Sequence, residues 1–486
     1  MHTHPANEDS RLSLWLRVRE FAVPASMIET ATARRLAGDW AGACAAAGID
    51  VDFGLRVWAR SHGHELTARV RSDLRHLAPD LLRWHLPRIA PDGLLRPGLT
   101  VALARYDFAG RDGVRPVQLV LRTPPAWADA GQRVSLALLD ASDPTAGDRR
   151  HPHPRPDRRF RLDLHRHLWD ARRAGELRVR SGADGPPAGY AEDPPAVRPL
   201  RGLGCAVDRW EAEARILLRA EGRSSGSVLV RFGAGRRLVV DVPEEAETTR
   251  TAAGVRTGAG SDARSGAGGG TPVLRRTKSR GSSLPVLPDA ATWVPPDLLL
   301  LRSGAIEARR LHPLVASALP PQEPGPEHAP PATGPAATDP TPDRAVGRAR
   351  YVECRGATHR IGLVDGVLAA LDHDPAEVRR EELLAALTGA PLPCLRAIDR
   401  AHRRPDCLAG VRERLVHGDV AGALAVVEGL LGPDAVLRDG ALRDELQAAA
   451  RRRITYGLFR AGLVGSGPGP DHDRPARTRP HPRHAS

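Results

Sequence analysis

The spacing of apolar residues changes twice along this chain, and this change constrains the fold more than any other sequence feature. Before about residue 97, stretches such as "GHELTARVRSDLRHL" repeat their apolar side chains at the period of an α-helix. Between about 98 and 245, stretches such as "VRPVQLVLRTP" follow the two-residue period of strands. Helical spacing returns after a hairpin pattern, "RIGLVDGVLAAL". The sequence therefore predicts an α+β multidomain fold: a helical N-terminal region, a mixed α+β middle domain, and a mainly helical C-terminal domain opened by a β-hairpin.

Glycine- and proline-rich stretches interrupt these regions. The chain of 486 residues contains 48 Gly and 44 Pro, and stretches such as "GVRTGAGSDARSGAGGGTP" cannot bury enough apolar surface to offset their ordering. The predicted organisation is a helical region (1–97), an α+β domain (98–245), a disordered linker (246–290), a short strand-helix segment (291–320), a Pro-rich linker (321–348), a hairpin plus helical domain (349–464) and a disordered tail (465–486).

Two distant stretches, "AGDWAGACAAAG" and "HGDVAGALAVVEG", share the pattern G-D-x-A-G-A-x-A. In each, we expect a helix to end at a left-handed glycine, Gly38 or Gly418, and Asp39 or Asp419 to cap the next helix. The pattern resembles the corner of a tetratricopeptide-type helical hairpin. Because strands lie between the two copies, they indicate one kind of corner used twice and not a repeat array.

The chain is strongly basic, with a formal net charge of +13 at pH 7. Such a charge ordinarily favours a polyanionic partner. Here Lys278 is the only lysine among 71 basic residues, and arginine is abundant together with alanine, glycine and proline. Because this combination is typical of proteins encoded by GC-rich genomes, composition explains much of the basicity without a ligand.

Histidine and arginine are densest in "HPHPRPDRRFRLDLHRHLWD". As a strand, this segment would place Asp163, His165 and His167 on one face, where they could bind a divalent metal. As a helix it would begin at an Asp163 cap and bury its apolar residues. The helix gives a structural role to more residues than the strand does. Because the metal site depends on the strand, we predict no metal here.

The same region also admits a nucleic-acid interface. Between residues 148 and 180 there are eleven arginines against five acidic residues, a density that phosphate neutralisation requires. The alternative is a solvated arginine-rich face. The low aromatic content of 4% disfavours single-stranded binding, which depends on stacking.

The five cysteines contain no CxxC pair, so we expect no disulfide framework and a cytoplasmic protein. The C-terminal domain has a set of cysteines and histidines that could converge, although their spacing matches no structural zinc module. We predict core packing and no metal for this set, which comprises Cys354, His359, His373, Cys394, His402 and Cys407.

No catalytic motif has the structural context that it needs. The GxSxG string at 222–226 follows a predicted helix and precedes a predicted strand, the reverse of a nucleophile elbow. His64-Glu65 lacks the second histidine of a zinc protease, because Ala68 occupies that position. The longest apolar block, "DLLLL", is too short to span a membrane. The sequence predicts no cofactor and no membrane association, and it identifies no catalytic residue.

Four strings carry a resemblance to a known family: "HPLVASAL", "RIGLVDGVLAALDHDPAEVRREELLAAL", "PLPCLRAIDRAHRRPDCL" and "GLLGPDAVLRDG". On these strings the chain resembles a family of undefined activity from GC-rich bacteria, whose members are found alongside MoxR-type AAA ATPases and von Willebrand A domain proteins. The resemblance implies an accessory or adaptor role with one of these as partner, and it supplies no active site.

The leading functional hypothesis is therefore a non-enzymatic protein whose helical ends bind partner proteins. One alternative is a nucleic-acid-binding protein that uses the arginines of 149–180. A second alternative, from another class, is an enzyme with a site near Asp163, His165 and His167.

Overall fold

The computed structural model describes residues 4–110, 113–140, 151–183, 198–232, 236–244, 273–276, 284–319, 350–389 and 391–463. It confirms the predicted α+β class, with N-terminal helices, a central mixed sheet region, and a C-terminal helical region preceded by a three-stranded sheet. The predicted Pro-rich linker and tail lie outside the described residues, as does the predicted linker 246–290 apart from 273–276 and 284–290.

Helices dominate the N-terminal region. They are α1 (His4–Arg17), which continues into a π-helical turn (Val18–Ala22), α2 (Ala25–Leu36), α3 (Trp40–Ala46), α4 (Leu55–His62), α5 (His64–His76) and α6 (Pro79–Trp84). The apolar spacing of α5 is confirmed, because Leu66, Val70 and Leu74 are all buried.

A four-stranded sheet follows in the order β1-β6-β5-β4. Its strands are β1 (Ile49–Val51), β4 (Thr100–Gly110), β5 (Gly113–Arg122) and β6 (Val134–Asp140), and a small ribbon of β2 (Arg88–Ile89) and β3 (Leu94–Leu95) precedes β4. β1 runs parallel to β6, and the other pairs are antiparallel. One apolar cluster, called here the first core, joins the N-terminal helices to this sheet. It includes Val18, Leu74, Leu82, Trp84, Leu103, Leu119, Leu136, Trp169, Leu300 and Val315.

A second, smaller core lies beyond the first. The short helix α7 (Leu177–Ser181) still packs into the first core through Leu177. The elements of the second core are α8 (Arg198–Gly202), α9 (Trp210–Ala220), β7 (Gly226–Arg231), β8 (Arg237–Val242) and α10 (Asp289–Thr292), and β9 (Val273–Arg276) pairs with β8. β7 and β8 pair antiparallel, as their alternating residues predict. The second core includes Trp210, Leu217, Val228, Val240 and Leu287.

The strand predicted within 291–320 is wrong. This segment forms helices α11 (Pro296–Arg302) and α12 (Pro313–Ala318), with a 3-10 turn (Ala308–Arg310) between them. A short run of leucines fits a buried strand and a buried helix equally well. Here Pro296 begins the helix at a position that needs no amide hydrogen, and Leu300 enters the first core.

The C-terminal region begins with strands β10 (Arg350–Cys354), β11 (Ala357–Val364) and β12 (Val367–Ala370). The predicted hairpin turn is confirmed. Asp365 and Gly366 lie between the paired residues Val364 and Val367, and both have positive φ angles, of 48° and 73°. The helices that follow are α13 (Pro375–Thr388), α14 (Pro393–Arg403), α15 (Leu408–His417), α16 (Val420–Leu431) and α17 (Ala441–Ala461).

Both predicted Gly-Asp corners are confirmed. Gly38 and Gly418 have φ angles of 79° and 91°. The Asp39 carboxylate accepts from the Gly42 amide at 2.8 Å, and the Asp419 carboxylate accepts from the Gly422 amide at 2.9 Å. The second corner also contacts the central region, since the Gly418 backbone lies directly against that of Gly131.

The C-terminal helices pack against the N-terminal part of the chain through polar and aromatic contacts. Tyr456 on α17 donates a hydrogen bond to Asp50 at 3.0 Å. The rings of Phe459 and Trp127 meet edge to face, with 5.4 Å between their centroids. No helix among the described residues combines the length and the apolar character that a membrane crossing requires.

Candidate functional site

A cavity of about 630 Å³ lies between the first and the second core. This volume falls in the range of small-molecule binding sites. Side chains of both cores form its apolar walls, including Trp15, Leu86 and Phe160 on one side and Leu203, Phe232 and Trp293 on the other.

Cations outnumber anions around this cavity. Only Glu213 and Asp289 supply carboxylates among the described lining residues. The lining arginines are Arg11, Arg88, Arg159, Arg161, Arg180, Arg209 and Arg236. Because apolar walls concentrate the field of the charges between them, an anion inside the cavity would be attracted more strongly than on an open surface.

Three of these arginines are held in place by carboxylates. Arg159 donates to both Asp289 oxygens, at 3.1 and 2.7 Å. Arg180 donates to both Glu213 oxygens, at 2.6 Å each. Arg161 binds Asp163 in the same two-pronged way. Paired geometry of this kind fixes the position of a guanidinium, so these arginines form a rigid wall.

Two other arginines have their charge available. Neither Arg209 nor Arg236 has a carboxylate partner within the described parts of the chain. The Arg209 Nε is buried there without a hydrogen-bond partner, whereas Arg236 is exposed at the rim. These two side chains are therefore the ones best placed to bind an anionic group.

Two buried histidines border the same cavity. Burial lowers the pKa of His85 to about 3 and that of His167 well below its ordinary value, so both rings are neutral at physiological pH. The His85 Nε2 and the His167 Nδ1 have no hydrogen-bond partner among the described residues. A buried polar atom without a partner is costly, so a ligand that hydrogen-bonds it gains affinity.

The structure does not bring Asp163, His165 and His167 together. Within the described chain, they do not form a group of ligand atoms close enough to share a metal. Both predicted conformations are wrong, since the segment forms a 3-10 helix (Arg166–Leu168) after an irregular turn. Asp163 does not cap a helix, because Arg161 binds its carboxylate.

His165 is held on both sides. Its Nε2 lies 3.2 Å from a Glu213 oxygen, and its Nδ1 lies 3.0 Å from the Arg161 carbonyl oxygen. Both ring nitrogens face oxygen atoms of the protein, which fix the orientation of the ring. Burial raises the pKa of Glu213, but hydrogen bonds from His165 and Arg180 outweigh it and hold this pKa at about 2. Arg180, Glu213 and His165 therefore hold one another in a fixed polar cluster.

Six of the nine described arginines in 149–180 are paired with carboxylates, some of which are close in sequence and some distant. Arg166 and Arg172 both bind Asp73 and Asp170. Burial raises the pKa of Asp73, but hydrogen bonds from Arg166 and from Tyr106 outweigh it, so the net pKa is lowered. These pairs form an internal network and not an open phosphate-binding surface. The nucleic-acid hypothesis stays a prediction that this geometry does not favour.

In the C-terminal domain, three of the six cysteines and histidines converge. The sulfurs of Cys354 and Cys394 lie 3.8 Å apart, and the His373 Nε2 lies 3.5 Å from the Cys394 sulfur. His402 is buried elsewhere on α14, and Cys407 precedes α15. The sequence indicated six residues that could converge, but it could not tell which of them do, because these three lie in separate parts of the fold.

No protein-family model, curated protein or solved structure matches this chain. The resemblance to a family from GC-rich bacteria therefore stays a prediction.

Proposed function

We propose that this protein binds a small organic anion in the cavity between its two cores and acts as a ligand-dependent accessory protein. The excess of arginines around a cavity of small-molecule size carries the proposal. An anion would meet Arg209 and Arg236, whose charges no described carboxylate neutralises, and would give the His167 Nδ1 a partner.

The apolar walls narrow the class of ligand. Trp15, Phe232 and Trp293 present aromatic surface beside the arginines, which favours a planar or apolar body next to the anionic group. A nucleoside monophosphate combines these two properties. Inorganic phosphate alone would leave the aromatic walls without a partner, so we expect it to bind more weakly.

Isothermal titration of the full chain with adenosine 5′-monophosphate, adenosine and inorganic phosphate tests this proposal. We expect the monophosphate to bind at least tenfold more tightly than either fragment, and more weakly as salt is added. Arg209→Ala and Arg236→Ala should each weaken its binding about tenfold. Arg178→Ala is the matched control, because Arg178 is exposed and lies outside the cavity lining.

Phenyl phosphate, which joins a smaller aromatic ring to the same anionic group, is a second probe. The proposal fails if neither adenosine 5′-monophosphate nor phenyl phosphate shows a heat of binding. It also fails if Arg178→Ala weakens binding as much as the cavity variants do, because the effect would then reflect the general positive charge of the chain.

Helix α13 favours a second candidate, the adaptor role predicted from the sequence. None of its residues is buried, and Leu383 and Leu387 are 66% and 86% exposed. These two leucines lie one turn apart and present a single apolar face, as helix-in-groove recognition requires. We therefore infer that α13 is the element that contacts a partner such as a MoxR-type ATPase or a von Willebrand A domain protein.

A direct binding measurement with a purified MoxR-type ATPase from the same organism tests the adaptor role. The double variant Leu383→Ser/Leu387→Ser should lose at least tenfold in affinity, whereas Leu36→Ser on α2, which is also well exposed, should bind like the wild type. Equal binding by the wild type and the double variant would exclude α13 as the contact.

A further inference from the structure

We propose that Cys354, His373 and Cys394 form a zinc site that joins the C-terminal three-stranded sheet to helix α14, with His359 as the fourth ligand. This inference is independent of the anion site. The three residues form the one group of potential metal ligands that the described residues bring within 4.8 Å of one another.

The three ligands come from three separate elements. Cys354 ends β10, His373 follows β12 just before α13, and Cys394 is the second residue of α14. Both sulfurs are buried, at 1% and 0% exposure, among apolar residues of the sheet and of α14. A metal at this point would cross-link a part of the chain whose apolar core is small.

Two of the three separations match the edges of a zinc tetrahedron, and the third, between the Cys354 sulfur and the His373 ring, is within 4.8 Å. With Zn–S bonds of about 2.3 Å and Zn–N bonds of about 2.05 Å, tetrahedral angles place two sulfurs about 3.8 Å apart and a sulfur and a nitrogen about 3.6 Å apart. The observed distances are 3.8 Å between the sulfurs and 3.5 Å from the Cys394 sulfur to the His373 Nε2.

A carboxylate lies behind the histidine, just beyond hydrogen-bond distance. The His373 ring turns its Nε2 toward the sulfurs and its Nδ1 toward Glu377, whose nearer oxygen is 3.9 Å away. A metal-bound histidine usually donates its other ring N–H to a nearby acceptor, and Glu377 is the carboxylate on that side of the His373 ring. Without a metal, the Nε2 of this ring would face only thiol sulfur, which is a poor hydrogen-bond partner.

His359 is placed to complete the site. Its ring stacks on that of His373, with 4.2 Å between centroids and 12° between planes. Its Nδ1 is buried and has no hydrogen-bond partner among the described residues. Strand β11 carries His359 opposite Val352 of β10, two residues before Cys354. As it stands, His359 lies outside the group whose ligand atoms are within 4.8 Å of one another, so its side chain would have to rotate to become the fourth ligand.

The donor set identifies the metal class. Two thiolates and two neutral imidazoles balance a divalent charge and prefer zinc in tetrahedral geometry. Binding requires both thiols to lose their protons, so metal affinity must rise with pH.

Metal analysis of the full chain, purified without chelators and in the presence of a reductant, tests the proposal. We expect one zinc per chain, and at least a tenfold lower zinc content in Cys354→Ser and Cys394→Ser. His359→Ala should lose its zinc to a chelator at least tenfold faster than the wild type. Cys407→Ser is the matched control, because this cysteine lies in the same domain outside the group, and it should retain its zinc.

Cobalt titration of the wild type provides a readout that does not depend on the folding of any variant. Cobalt bound by two thiolates in tetrahedral geometry should produce intense visible bands and a sulfur-to-cobalt charge-transfer band. The proposal is overturned if the reduced chain binds neither zinc nor cobalt at neutral pH. It is equally overturned if Cys407→Ser loses as much zinc as Cys354→Ser, or if the cobalt spectrum shows six oxygen or nitrogen ligands.

Discussion

Arg83 lies on α6 with its side chain almost completely buried, and it has three backbone carbonyl oxygens as partners. It donates to Ala22 at 3.0 Å, to Gln132 at 2.7 Å and to His417 at 3.0 Å. Burial lowers the pKa of Arg83 to about 10, so the group remains charged at neutral pH. One side chain therefore links the N-terminal helices, the central region and the C-terminal helices.

Replacing Arg83 tests this linking role. Arg83→Met removes the charge but leaves three buried carbonyl groups without a donor, so we expect the free energy of unfolding to fall by about 3 kcal/mol or more. Chemical denaturation at neutral pH measures the change. Arg56→Met on α4 is the control, because Arg56 is exposed, and its stability should match the wild type within about 0.5 kcal/mol. A similar loss in both variants would contradict the linking role.

His417 predicts a loss of stability in acid. Burial, together with nearby cations such as Arg88, lowers the pKa of His417 to about 4 in the folded chain. The unfolded chain, with an ordinary pKa near about 6.5, binds this proton first, so stability falls as the pH drops from about 6.5 toward 4.

The variant His417→Gln isolates this contribution. It cannot take up the proton, so it should lose about 2 kcal/mol less than the wild type between pH 7 and pH 5. Denaturant unfolding at the two pH values measures the difference. The exposed His64 provides the control variant His64→Gln, for which we expect the wild-type pH dependence. Identical slopes for wild type and His417→Gln would show that His417 does not titrate as described.

At the scale of elements, the two Gly-Asp corners have the same local structure in different surroundings. A Cβ on Gly38 would meet open space, whereas a Cβ on Gly418 would collide with the Gly131 carbonyl oxygen. The left-handed glycine and the aspartate cap follow from local preferences and were predictable from sequence. The approach of Gly131 was not, because it depends on how two distant parts of the chain pack.

Alanine at each corner separates these two effects. Gly38→Ala should cost about 1 kcal/mol, the strain of a left-handed alanine alone. Gly418→Ala adds a backbone collision, so we expect at least twice that loss in the free energy of unfolding. Thermal or chemical unfolding of the pair gives the comparison, and equal losses would mean that the Gly131 contact is not maintained in solution.

The segment around Asp163 shows where element prediction failed. The local spacing of polar and apolar residues predicted a strand or a capped helix, and the structure has neither there. Asp73, Glu213 and Asp289 bind its arginines, and all three lie far away in sequence. A helix or a strand would place these arginines differently, so long-range ion pairs decided a conformation that periodicity could not.

At the scale of the whole molecule, the class and the order of helical and strand regions were predictable, because buried faces leave periodic patterns. The cavity was not predictable, since its walls come from both cores, although three of its arginines (Arg159, Arg161 and Arg180) belong to the arginine-rich segment that the sequence indicated. Cys354, His373 and Cys394 were among six residues that the sequence indicated could converge, but which of the six meet depends on sheet pairing and on the packing of α14.

Phe459 provides a test of how the C-terminal region is attached. Its ring packs against Trp127, so Phe459→Ala should weaken the contact of α17 with the central region by about 2 to 4 kcal/mol. Calorimetry should show a broader unfolding transition with a lower midpoint temperature. The neighbouring and more exposed Leu458→Ala is the control and should cost much less. If both variants unfold alike, the contact with Trp127 does not hold α17.

The Arg83 contacts also bear on the synthesis of the chain. Arg83 and His417 are 334 residues apart, so at about 5 to 20 residues per second roughly 20 to 70 s pass between their syntheses. For most of that interval the Arg83 guanidinium has only two of its three final acceptors, the carbonyl oxygens of Ala22 and Gln132. A chain that stops before residue 417 keeps this defect permanently, which makes completion of translation a condition for the full stability of the N-terminal part.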